Sequence, residues 1–288
     1  MDDIKYVVSA APHIRDKSST GRIMLDVIIA LTPAALFKVY FFGINALLIT
    51  ILTIISCIFF EYIFQKIRKQ KSTIYDGSAV VTGLLLALLM PASSNFGLPI
   101  AGSFFAIVIV KQLFGGIGVN FLNPALGAMV FLIMSFPNEM RITPQPINYF
   151  ADLDHVYVSA IVLLLGGLYL LIRKIISWRI PVFFILSTAL LVWIFGGEGV
   201  PIFELLSGGL ILGAFFMATD YSTSPVTPVG KIIMGVGCGF ITALMHVFGN
   251  ASEGMIYAIL FMNLVVPLID RFTKPTTLGK TKTKEGET

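Results

Sequence analysis

Ten apolar runs of about twenty residues, none carrying more than two formal charges, leave this chain little choice of environment. They fall near 23–43, 45–63, 77–95, 99–115, 120–137, 156–173, 181–196, 201–219, 232–249 and 254–270. A helix rising 1.5 Å per residue needs about twenty residues to cross a hydrocarbon core of about 30 Å. The linkers are short, so the runs predict an all-α polytopic membrane protein, one compact bundle of about ten transmembrane helices with no soluble domain. A mean hydropathy of +0.89 and a charged fraction of 12% exclude an ordinary soluble domain.

Charge then sets the expected orientation. Cytoplasmic loops of membrane proteins carry excess Lys and Arg. With the N-terminus cytoplasmic, 18 of the 20 basic residues fall on that side, leaving Arg141 in an outer loop and Lys38 in the outer half of the first segment. The net charge of +4 is thus a topology signal, and no nucleic-acid partner is expected. The opening residues lack an apolar core followed by a small-residue cleavage site, so no removable leader is expected. Cys57 and Cys238 lie far apart within apolar runs and read as small buried residues.

Shifting the second half back by about 130 residues sets GSAVVTGLLLALLMP beside SGGLILGAFFMATDY, with Gly83 opposite Gly213; further on, Asn123 meets Asn263. Segments three to five thus resemble segments eight to ten. Five being odd, the copies would run in opposite orientations, the inverted-repeat plan of many transporters. The resulting divisions are a cytoplasmic N-terminal segment (1–22), a first five-helix repeat (23–137), an external loop (138–155), a second repeat (156–270) and a basic cytoplasmic tail (271–288). In segment five a glycine-rich entry leads to Asn123 and Pro124, an N-cap followed by proline at the first helical position. A helix from Pro124 to Phe136 is about 20 Å long and cannot cross a bilayer alone. It reads as a half-helix with a re-entrant lead or as a tilted helix with a proline start.

The stretch LLSGGLILGAFFMATDYSTSPVTPVGK (205–231) begins with small residues that let helices approach closely and ends in hydroxyls and prolines. Asp220, Thr223, Ser224 and Thr227, with Asn123 as their counterpart, are the candidates for an ion or cofactor pathway. Their oxygens and free backbone groups suit a hard cation or a flavin's polar edge; the alternative is a cap that only ends a helix. Lys38, Glu61, Lys111, Glu204, Asp220, His246 and Asp270 stand at membrane depth, where each taken alone reads as a boundary or packing residue. No metal-ligand spacing, hydrolase triad or Walker-type loop is present, so neither a catalytic residue nor a metal ligand is assigned.

The segments APHIRDKSSTGRIMLDVIIALTPA (11–34), DGSAVVTGLLLALLMP (76–91), GVNFLNPALGAMVFL (118–132), SGGLILGAFFMATDYSTSPVTPVGK (207–231) and YAILFMNLVVPLIDRFTKP (257–275) resemble the D-type subunit of the Rnf electron-transport complex. That family includes the B-type subunit of the sodium-translocating NADH:quinone reductase. The resemblance implies a cell-membrane subunit, with other Rnf subunits as partners, of a redox-driven sodium or proton translocase working between ferredoxin and NAD. It implies no catalytic activity of this chain alone. It also implies flavin, FMN or riboflavin, including FMN joined to a threonine in the outer loop after segment five. Loop 138–155 departs from the family's motif: its one threonine, Thr143, matches a stretch upstream of the attachment site, so covalent FMN is not carried over to any residue. A cofactor-free scaffold subunit and a small-solute channel or transporter of inverted-repeat type are the alternatives.

Overall fold

A computed structural model describes residues 20–69, 72–140, 149–196, 208–249 and 253–274, without side chains for 149–156 and 208. Every described element is helical: α1 (Thr20–Ile67), α2 (Ser78–Leu89), α3 (Gly97–Phe104), α4 (Pro124–Ser135), α5 (Pro137–Met140), α6 (Tyr149–Ile172), α7 (Arg179–Phe195), α8 (Gly208–Leu212), α9 (Pro228–Phe248) and α10 (Gly254–Thr273). Helix α3 runs on as a π-helix over Phe105–Gln112, and α8 over Gly213–Met217. By length and composition α1, α9 and α10 are each able to cross a membrane. Each of the ten expected segments holds a helix among its described residues, although the third stops at Leu89 and the fifth starts only at Pro124, and the all-α polytopic class holds.

The first two segments form one 48-residue element broken only at Gly43, whose φ of 71° and ψ of −155° leave helical space. A positive φ costs glycine nothing, whereas a side chain there is strained. Contacts with α2 show that the two limbs reverse direction. On the first limb, a β-carbon at Gly77 would meet Met24 at 3.4 Å, and Lys38 reaches Met90 at the other end of α2. On the second limb the order is opposite, with Ile54 against Gly83 and Glu61 in a network with Ser78. The crossing at Gly83 is tight: a β-carbon there would stand 2.9 Å from the Ile54 Cα. Without an oil–water driving force between helices, such backbone approach supplies the packing.

Helix α9 lies on α7 through Gly235 and Gly239, where added β-carbons would come within 2.8 Å of the Ile180 carbonyl oxygen and 2.7 Å of that of Phe184. Helix α6 is tied to α1 by Asp26, which accepts from Tyr169 Oη at 2.7 Å and from Arg173 Nη2 at 3.1 Å. Leu31, Leu126, Phe184 and Met217 are among the fully buried side chains of the shared core, while Leu36, Tyr40, Ile161 and Trp193 face outward. Cys57 and Cys238 are buried and unpaired. Helix α6 begins at Tyr149, ahead of the apolar run that starts near residue 156. Thr143 and Glu204 lie outside the described residues.

Candidate functional site

Two twelve-residue helices organise the polar interior. Helix α2 starts after the Asp76-Gly77 turn and stops where Pro91 removes the next N–H donor. Helix α4 starts at Asn123, whose Oδ1 accepts from Ala125 N at 3.0 Å and Leu126 N at 3.3 Å, with Pro124 at its first position. Each is about 18 Å long, short of the hydrocarbon core. The half-helix at Asn123-Pro124 is therefore the arrangement adopted. Both helices place termini, with their unpaired backbone groups and partial charges, inside the bundle.

Beside the start of α2 lies a buried ion pair. Glu61 is 0% and Lys111 3% exposed, and Lys111 Nζ lies 2.8 Å from Glu61 Oε2 and 3.0 Å from Oε1. The same ammonium donates to Ser78 Oγ at 2.6 Å, and Ser78 in turn donates to Asp76 Oδ1 at 2.5 Å. Glu61 Oε1 also accepts from Gln112 Nε2 at 2.9 Å, Thr73 Oγ1 at 3.1 Å and Gln65 Nε2 at 3.2 Å. Lys111 and Gln112 are the last residues of the π-helical stretch, whose wider turns change the angle at which successive side chains leave the axis. Taken singly, both charges read as boundary residues; a pair fifty positions apart has no sequence signature.

The expected pathway residues divide into two groups. Asp220 follows the second π-helical stretch and anchors a turn, accepting from Ser222 Oγ at 3.0 Å and Thr223 Oγ1 at 3.3 Å. Thr223 is buried and Ser224 half-buried. The facing loop is close, since a β-carbon at Gly118 would stand 4.0 Å from Tyr221 Oη. Asn263 joins this turn to α4. With its amide oriented to satisfy both neighbours, its oxygen accepts from Asn123 N at 3.2 Å and its nitrogen donates to the carbonyls of Thr223 at 3.2 Å and Ile259 at 3.3 Å. Asp220, Thr223 and Asn123 therefore converge.

Thr227 does not join them. It caps α9, accepting from Gly230 N at 3.0 Å, and its hydroxyl lies 2.5 Å from that of Thr273. Ten residues separate Thr273 from Asn263, about 15 Å along α10. Thr227 is thus a cap at the helix end, and the prolines at 225 and 228 explain why the chain needs one there.

Glu61, fully buried, and Asp220, half-buried, each offer carboxylate oxygens beside hydroxyls, and the Lys111 ammonium balances the charge at Glu61. A cation that displaced the Lys111 ammonium would take over its positive charge at Glu61, so the carboxylate would not be left bare. Among the described residues no group of three His, Cys, Asp or Glu is placed to hold a metal ion.

The family model described as NQR2, RnfD, RnfE family matches residues 7–157 and 147–279. The D-type subunit of the Na(+)-translocating ferredoxin:NAD(+) oxidoreductase complex of Acetobacterium woodii is 44% identical over 316 aligned positions, covering 99% of each chain. Its counterpart in the proton-translocating ferredoxin:NAD(+) oxidoreductase complex of Clostridium ljungdahlii is 39% identical, covering 95% of this chain and 96% of that one. The corresponding D-type subunit of the ion-translocating oxidoreductase complex of Methanosarcina acetivorans is 38% identical, covering 95% and 97%. With both halves matched by one family model and full-length relatives at these identities, the chain belongs to the NQR2, RnfD, RnfE family.

Proposed function

We propose that this chain is the D-type membrane subunit of an ion-translocating ferredoxin:NAD(+) oxidoreductase complex, working in a multi-pass assembly with the other Rnf subunits. The observation that carries this reading is the end-to-end 44% identity with a subunit of that name, with no unmatched domain on either chain. The interior described above suits the role. The route for the ion runs past Glu61 and Lys111 to the Asp220 turn, with Asn123, Thr223 and Ser224 beside it. The relatives' names differ between sodium and proton, so family membership leaves the ion open. Both chain ends are cytoplasmic in this reading, and the five-segment halves run in opposite orientations.

The test is transport. In the purified complex reconstituted in vesicles, Asp220→Asn keeps the shape and most hydrogen bonds of the turn while removing its charge. The expected outcome is normal assembly with ion uptake reduced at least tenfold relative to electron flow. Normal uptake by Asp220→Asn, with a lower yield of Asp220→Ala, makes Asp220 a turn anchor and overturns the pathway.

A second reading, a subunit of the same complex that holds no flavin, is favoured by one observation: loop 138–155 contains a single threonine outside the family's attachment motif. The alignment with the Acetobacterium woodii protein spans 316 positions against 288 residues here, so that relative carries segments with no counterpart in this chain. Acid precipitation of the complex, followed by a fluorescence scan of each denatured polypeptide, separates covalent flavin from none.

A further inference from the structure

Lys38 takes no part in the site above. It lies on the first limb of α1, shortly before the reversal at Gly43, at the end of α2 remote from the Glu61–Lys111 pair. Its Nζ donates to the carbonyl oxygens of Ala87 at 2.5 Å and Met90 at 2.6 Å. Both oxygens lack the donor a continuing helix would supply. The partner of Ala87 would be residue 91, a proline with no N–H, and the N–H of Ser94 turns instead to Pro91. Among the described residues no carboxylate lies within ion-pair distance of Lys38. A part-buried ammonium is here balanced by two main-chain carbonyls and the negative end of a helix.

That environment is what a hard monovalent cation takes: convergent carbonyl oxygens carrying partial charge, with no proton to displace. Met90 is itself buried, and two residues further on the chain reaches a cleft of about 580 Å³, lined by Ser93, Ser94 and Asn95 of the linker together with Asn45 of α1 and Glu139. We propose that the Ala87 and Met90 carbonyls form a site for a small monovalent cation, sodium or potassium, which the Lys38 ammonium fills as a tethered ion. With the lysine in place the site excludes free cations, and its fixed positive charge closes this end of α2 to them. Without it, a cation entering from the cleft replaces the ammonium.

The experiment heats membranes containing the whole complex and follows the fraction still extractable, in sodium, potassium or N-methylglucamine chloride at one ionic strength. Lys38→Ala and Lys38→Ser open the site, and Lys38→Arg keeps the charge. In N-methylglucamine the first two variants lose stability; sodium or potassium restores it in a saturable way, by about 5 °C beyond any effect on the wild type. Lys38→Arg gains nothing beyond the wild type. Equal midpoints in all three salts make Lys38 a helix cap and nothing more, and an equal cation effect on wild type and variants places the cation elsewhere. Either result overturns the proposal.

Discussion

Replacing Lys111 with methionine removes the one positive charge that, among the described residues, pairs with Glu61. At 2.8 Å and an effective dielectric of about 20, the attraction is about 6 kcal/mol before the cost of desolvating both groups. Losing one partner of a buried pair costs about 3–5 kcal/mol, because the other charge is left behind. Glu61 keeps its bonds from Gln65, Gln112 and Thr73, which places Lys111→Met near the low end of that range, at about 3 kcal/mol. The double variant Glu61→Gln/Lys111→Met removes both charges and retains an oxygen for the three neighbours, so it should lose only about 1 kcal/mol. The two substitutions are therefore coupled by at least 2 kcal/mol, roughly, in the sense that the second repairs the first. At about 2–4 °C per kcal/mol, Lys111→Met lowers the thermal midpoint of the membrane-embedded complex by about 6–12 °C and the double variant by about 4 °C or less. Each midpoint is read from the extractable fraction after heating. A single variant within 2 °C, roughly, of the wild type, or single losses that simply add in the double variant, would refute the pair as a structural unit.

Asn263→Leu cuts the link between the Asn123 N–H and the Thr223 carbonyl and leaves both without a partner, so it should cost about 2–4 kcal/mol, read as a lower midpoint in the same assay. Asn263→Asp restores an acceptor for Asn123 but no donor for Thr223, and should fall between Asn263→Leu and the wild type. For orientation, single cysteines at Ser72 and at Asn148, in a background without Cys57 and Cys238, should react with an impermeant reagent from opposite sides of the membrane. Labelling of Ser72→Cys from outside would reverse the assignment of both chain ends.

How much of this could be read beforehand depends on the range of the interaction. The ten helical segments rest on local hydropathy, the strongest constraint a bilayer imposes, and the start of α4 rests on the adjacent Asn123-Pro124 signal. Asp220 was legible as a turn anchor because its partners, Ser222 and Thr223, lie two and three residues on. Thr227 carries the same hydroxyl-and-proline signature, yet its partners are Gly230 and Thr273, and only packing against α10 separates it from the group whose signature it shares.

The missed residues share one physical property: each satisfies a group created by a helix end elsewhere in the chain. Lys111 supports the start of α2 through Ser78, Lys38 its end through Ala87 and Met90, and Asn263 the start of α4 through Asn123. In water such ends could be solvated, and the residues that meet them would be optional. Inside a bilayer every short helix obliges a distant side chain to complete it, because an unsatisfied backbone group costs several kcal/mol there. The polar residues at membrane depth are therefore best assigned by asking which broken helix each one completes. By that criterion Lys38 and Asn263 are accounted for by backbone groups alone. Glu61 and Asp220 are carboxylates, which cannot donate to a carbonyl, and neither accepts from a terminal N–H of α2 or α4. Completion of the short helices therefore does not account for these two: Glu61 answers the buried Lys111 ammonium and Asp220 holds the Ser222–Thr223 turn, and it is beside those partners that the proposed route would pass.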